Sequence, residues 1–122
     1  MQPNVQVITK KEYTADVYLD VTICGRRLSV LLDSGCETSV IGESLLPGIR
    51  LQSSTQELYA ANGTRIPIVG ETDLEIRVGD VTIPTRILVS RAISEMILGI
   101  DFLTQNRCRW DFGRSLIELG GK

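Results

Sequence analysis

An all-β domain with at most one short helix is the fold class this sequence predicts, and three features point to it. Val, Ile and Leu are abundant while only 5% of the residues are aromatic, an aliphatic bias that suits half-buried strands. Glycine occurs at 11 of 122 positions, as short strands joined by tight turns require. Apolar residues alternate over brief runs, and the dipeptides between those runs are Cys24-Gly25, Asn62-Gly63 and Gly79-Asp80, which are turn formers. A length of 122 residues with 43% hydrophobic content fits one domain, 1–122, with its core over about 13–119.

The first hairpin is expected where Ala15, Val17, Leu19 and Val21 lead from Tyr13 into the Cys24-Gly25 turn and Leu28 to Leu32 return. That second strand runs directly into Asp33-Ser34-Gly35, so an acidic residue stands at a strand end in a turn-forming trio. A short strand Ser39-Val40-Ile41-Gly42 follows, then Glu43 to Leu46 as one helical turn closed by Pro47-Gly48. Asn62-Gly63 predicts a hairpin within Gln56 to Gly70, and Gly79-Asp80 predicts another between Leu74 to Val78 and Val81 to Ile83. Pro67 and Pro84 should sit at edges or strand ends, because proline cannot donate to a ladder. The helix starts after Gly99, with Ile100, Phe102 and Leu103 inside it, and Ser115 to Leu119 form a last strand. The string VIGESLL at Val40 to Leu46 resembles ILGIDFL at Ile97 to Leu103, and each follows a pair of strands with a glycine turn. Such a faint duplication suits a pseudo-symmetric fold.

Composition excludes several functions. The formal charge of −2 comes from interspersed acids and bases, which offers no cationic stripe for nucleic acid or anionic lipid. No apolar run approaches the roughly 20 residues a bilayer span needs, and the first residues lack a signal peptide's basic and apolar regions. Cys24, Cys36 and Cys108 are an odd, widely spaced set, so a reducing, cytoplasmic compartment is expected. The sequence contains no histidine, which removes Ser-His-Asp and Cys-His catalysis and most zinc sites. No metal or cofactor is expected, and the chemistry left is that of carboxylates, or of Lys, Tyr or Cys acting without imidazole.

At Val30 to Gly42, VLLDSGCETSVIG resembles the active-site signature of retroviral and long-terminal-repeat retrotransposon aspartic proteases: two aliphatics, Asp, Ser or Thr, Gly, a small residue and an aliphatic strand. LYAANGTRIPIVG then resembles the flap hairpin of that family, and MILGIDFL its second loop and helix. The resemblance implies a closed, mostly antiparallel retropepsin-like barrel with one short C-terminal helix. It also implies a homodimer that cleaves extended peptides or a polyprotein, in the cytoplasm or within retroelement particles. Water activation by this route takes two carboxylates that share a proton, whereas the chain holds one Asp-Ser-Gly and only Ile-Leu-Gly-Ile-Asp in its second half. A two-fold axis supplies the mate.

By resemblance, Asp33 is catalytic, Ser34 braces the two loops across the dimer, and Gly35 presents its carbonyl to substrate. Cys36, Glu37 and Thr38 meet the peptide, and Leu31, Val40 and Ile97 line side-chain pockets. Asn62, Gly63 and Thr64 form the flap tip. Val5 to Ile8 and Leu116 to Leu119 are candidate interface strands. Ile100 stands where many viral members have an arginine paired to the loop acid, leaving Arg107 or Arg109 as substitutes. Cys36 beside the acid suggests redox sensitivity. Asp101 is read as a helix N-terminal carboxylate, Cys24 and Cys108 as buried apolar residues, and Trp110 as core or dimer packing. The alternative function is a catalytically silent dimerisation or peptide-binding module.

Overall fold

The computed structural model describes residues 4–10, 16–60, 62–111 and 113–119. Tyr13, Ala15 and Ala61, named in the expected hairpins, lie outside them. The chain opens with β1 (Asn4–Val7) and β2 (Thr9–Lys10), then the long hairpin β3 (Val17–Ile23) and β4 (Arg26–Leu32). Val17, Leu19, Val21 and Ile23 are buried while Asp20 is exposed, the period-two burial of a strand with one wet face. The turn places Cys24 and Gly25 at positive φ, 50° and 77°. Cys24, expected in the core, is exposed there, because a two-residue turn at the tip of a hairpin has nothing to pack against.

Next come β5 (Val40–Gly42), a 3-10 turn (Glu43–Leu45), β6 (Leu58–Tyr59) and β7 (Arg65–Ile66). A nine-residue β8 (Gly70–Val78) and a ten-residue β9 (Val81–Ser90) form the longest ladder. The chain ends with β10 (Met96–Leu98), α1 (Ile100–Gln105), β11 (Cys108–Asp111) and β12 (Leu116–Leu119). Pro67 falls between strands, but Pro84 lies well inside β9, paired with Glu75. It is tolerated because β5 joins β9 only from Leu88 onward, so no donor is needed on that edge.

One sheet runs β2-β3-β4-β10-β5-β9-β8, and a further pairing of β3 with β8 at Thr22 and Arg77 closes six of these strands into a barrel. A smaller sheet, β1-β12-β11, packs beside it. The barrel is filled by Leu19, Val30, Ile41, Ile76, Ile87 and Leu98, and Phe102 from α1 plugs one end at 1% exposure. Burial of such side chains contributes roughly 1.5–3 kcal/mol each. Ile117 and Leu119 fix the small sheet to the same core, and Trp110 packs against it from β11.

The duplicated strings are duplicated structure. Pairing of β10 with β4 is parallel, Ile97 to Leu31 and Leu98 to Leu32, and pairing of β5 with β9 is parallel, Val40 to Leu88 and Ile41 to Val89. One residue offset, that from Val40 to Ile97, carries Leu31 to Leu88 and maps the first ladder onto the second. The two halves meet where β10 and β5 pair antiparallel, Ile97 opposite Val40. Glycine recurs at the matching position for a steric reason. A Cβ on Gly99 would overlap the Cys36 carbonyl, and one on Gly42 would overlap the Ile93 carbonyl.

Candidate active site

β4 delivers Asp33 to the mouth of the barrel. Its backbone N–H donates to the Leu98 carbonyl at 3.0 Å, so the strand pairing with β10 continues to the residue itself. The loop then turns back: Cys36 N–H donates to the Asp33 carbonyl at 3.1 Å, and Gly35 N–H donates to Asp33 Oδ1 at 2.9 Å. This Asx-type turn leaves Asp33 half-buried and its second carboxylate oxygen available. A Cβ on Gly35 would crowd Oδ1 at 3.2 Å. Ser34, Gly35 and Glu37 are exposed at the loop surface, with Thr38 half-buried behind them.

The second half repeats this turn without the acid. The residues matching Asp33, Ser34 and Gly35 are Ser90, Arg91 and Ala92, and Ala92 N–H donates to Ser90 Oγ at 3.1 Å as Gly35 N–H does to Asp33. Ser90 is fully buried. One copy of the chain therefore builds two equivalent turns but carries a carboxylate on one of them.

A partly buried network fastens the loop. Asp101 Oδ1 accepts the Ser39 hydroxyl at 2.7 Å, the Ser39 amide at 3.0 Å and the Phe102 amide at 2.7 Å, and Ser39 Oγ in turn accepts Gly99 N–H at 2.9 Å. Ile100 N–H donates to the Cys36 carbonyl at 2.7 Å. Asp101 thus satisfies one amide of its own helix and fastens the Asp33 loop as well, which the reading as a simple helix-end carboxylate did not anticipate. Arg109 faces Glu118 at 4.0 Å on the small sheet, away from this loop. Ser39→Ala is expected to cost about 1–3 kcal/mol of stability, because the buried Gly99 N–H loses its acceptor and Asp101 its hydroxyl donor. Urea denaturation measures this, and an unchanged midpoint would show that the network is not holding the loop.

The β6–β7 hairpin lies over the loop through a small apolar cluster of Val40, Leu58 and Leu88, with Cys36, Ile66, Ile68, Ile93 and Ile97 partly buried around them. Leu58 points into this cluster while Tyr59 is 53% exposed on the opposite face. Val40 is 1% exposed beneath the hairpin, Leu31 and Ile97 are half-buried, and Asn62, Gly63 and Thr64 are exposed at the tip. Only Gly63 of the Asn-Gly pair has positive φ, 85°, so the turn is not the two-residue form that this dipeptide favours. It is a longer loop closed by Gly63 N–H to Ala60 O at 2.9 Å and Thr64 N–H to Asn62 Oδ1 at 2.9 Å. Leu58, Ile66, Ile68, Leu88 and Ile93 were missed as site residues, since isolated aliphatics in strands carry no signal beyond burial.

Cys36 donates its thiol to the Thr38 carbonyl at 3.1 Å. Burial pushes its pKa up, outweighing a hydrogen bond with the Thr38 backbone, and the charges of Asp33, Asp101 and Glu37 add to the rise. The thiol stays protonated at neutral pH, which opposes the oxidation that its position suggested, since the thiolate is the reactive form. Burial alone raises Cys108 to about 11. Among the described residues no cluster of His, Cys, Asp or Glu could hold a metal ion.

Solved structures share this architecture. The retroviral protease-like domain of Ddi1 from Leishmania major superposes with a TM-score of 0.63 at 21% identity, over 79% of each chain. EIAV protease in complex with the inhibitor HBY-793 gives 0.63 at 27% identity, over 79% of this chain and 92% of that one. A retropepsin-like aspartic protease from Rickettsia conorii gives 0.64 at 14% identity, over 98% and 95%. The fold is that of the retropepsins, a barrel of mostly β structure with one short helix. Residues 19–105 also match the family described as "gag-polyprotein putative aspartyl protease", a span that includes the Asp33 loop, the hairpin over it and the Gly99 crossing, and the chain belongs to that family.

Proposed function

We propose that the protein is an aspartic endopeptidase of the retroviral and retrotransposon type, active as a homodimer in which each copy contributes Asp33. The observation that carries this reading is the paired turn: Asp33 and Ser90 occupy equivalent positions, each accepting the amide two residues on, and only one is an acid. A water activated between two carboxylates needs a second Asp33 across a two-fold axis, one group accepting the water proton while the other donates to the scissile carbonyl. Ser34, exposed beside the acid, would then brace the partner loop.

The substrate fitting this site is an extended peptide. Its backbone would be held strand-like by Gly35, Glu37 and Thr38 below and by the β6–β7 hairpin as a flap above. Side chains would meet half-buried aliphatics such as Leu31, Ile97 and Ile66, so preference should be hydrophobic. Polyprotein processing in a cytoplasmic or particle-enclosed setting fits these requirements. The test is an acidic-pH assay on a peptide library over a dilution series. Cleavage per subunit that falls away at low concentration supports a dimeric enzyme. Absence of cleavage at any concentration by a folded dimer supports the silent binding module.

A further inference from the structure

The geometry points to Glu71 as a positioning residue that, with Arg86, latches one leg of the flap to the barrel and so sets how firmly substrate is held. This inference rests on reading the β6–β7 hairpin as a flap. That hairpin is thin, with two residues in each strand, so its orientation depends on the legs that carry it.

The leg entering β6 runs over residues 52–56, and β8 holds it at one point by an exchanged backbone pair. Gln52 N–H donates to the Glu71 carbonyl at 2.8 Å, and Glu71 N–H donates to the Gln52 carbonyl at 2.9 Å. Gly70 permits this approach, since a Cβ there would lie 2.8 Å from the Gln52 carbonyl oxygen. The leg leaving β7 is tied at the same level, by Val69 N–H to the Val89 carbonyl at 2.8 Å.

Side chains converge on that point. Arg86 donates to Glu71 Oε1 from Nε at 3.2 Å and from Nη2 at 2.6 Å, to Asp73 Oδ2 from Nη1 at 3.0 Å, and to Gln52 Oε1 from Nη2 at 2.5 Å. Gln56 Nε2 donates to Glu71 Oε2 at 3.3 Å. Two side chains of the leg, Gln52 and Gln56, therefore meet one Glu71–Arg86 pair on β8 and β9. Glu71 is only 15% exposed. An isolated surface ion pair contributes little, but a two-donor fork shared with several partners is a geometric clamp. Arg86, ahead of Ser54, also holds the Glu71 carboxyl below the usual range and so keeps it ionised.

A looser leg leaves the flap to be ordered by substrate, which weakens binding without touching the chemistry. The test uses Glu71→Ala, Arg86→Ala and the double variant in the unliganded full chain, followed by hydrogen exchange. Each single change should speed exchange of the Leu58 and Ile66 amides about tenfold and leave Ile76 and Ile87 unchanged. The double variant should be no faster than either single one, because both remove the same clamp. KM for a peptide substrate should rise about three- to tenfold with kcat within twofold, and Arg86→Lys should recover part of the loss. Unchanged exchange in the hairpin, equal acceleration at Ile76 and Ile87, or additive effects in the double variant would each overturn the latch. If the wild type cleaves no peptide, the peptidase reading fails alone, and the exchange results still decide the latch.

Discussion

Asp33→Asn is expected to lower kcat/KM by about 10³-fold or more while leaving the fold and the proposed dimer intact. Acid–base groups of this kind contribute on the order of 10²–10⁴-fold each, and in a symmetric dimer one substitution alters both at once. Asparagine keeps an oxygen where Gly35 N–H donates at 2.9 Å, so the turn survives. Asp33 is half-buried at the barrel mouth and takes no part in the buried core cluster, so thermal stability should change little. The measurement pairs peptide cleavage at acid pH with a melting curve for each variant. Equal cleavage by both proteins would place the chemistry elsewhere in the chain.

Gly99→Ala and Gly42→Ala should be the most damaging small substitutions, each destabilising by about 3 kcal/mol, near the upper end for overpacked sites. At each position the neighbour is a backbone carbonyl, of Cys36 or of Ile93, and a carbonyl fixed in a loop cannot rotate aside as a side-chain tip would. For a chain of this length the expected fall in Tm is about 10 °C. Gly99→Ala should also reduce activity, because Cys36 belongs to the Asp33 loop, whereas Gly42→Ala acts on the turn that carries no acid. Gly113→Ala is the control: its added Cβ meets nothing closer than Asp111 Oδ1 at 3.5 Å, so it should stay within about 0.5 kcal/mol. Equal melting of the Gly99 and Gly113 variants would mean that the loop crossing is loose.

What was legible in the sequence is what acts over short range. Alternation and turn dipeptides placed the β3–β4 and β8–β9 hairpins, since both partners of each ladder lie within one stretch of chain. The helix after Gly99 and the duplication at Val40 and Ile97 were legible too, the duplication because strand crossing imposes the same glycine twice. The parallel insertion of β10 between β4 and β5 was not, since Leu31 and Ile97 are joined by no local pattern. Neither was the bond between Ser39 and Asp101, 62 residues apart. A serine just before a strand and an acid two residues after a glycine look ordinary separately, and become one network only when the halves dock. The Glu71–Arg86 clamp escaped for the same reason, because exposed charges on a hairpin usually face only water. Cys24 shows the converse error: a small apolar residue next to Gly25 was placed inside, while the turn geometry holds it in solvent.

The central claim is that one active site needs two copies of Asp33, and mixing subunits tests it most directly. Wild type and Asp33→Asn are combined at fixed total concentration, allowed to exchange, and assayed for cleavage. If the site is shared and the subunits pair at random, activity follows the square of the wild-type fraction, so an equal mixture retains about one quarter of the wild-type rate. A rate that falls in simple proportion, with about half remaining in the equal mixture, would show that each chain works alone and would contradict the shared site.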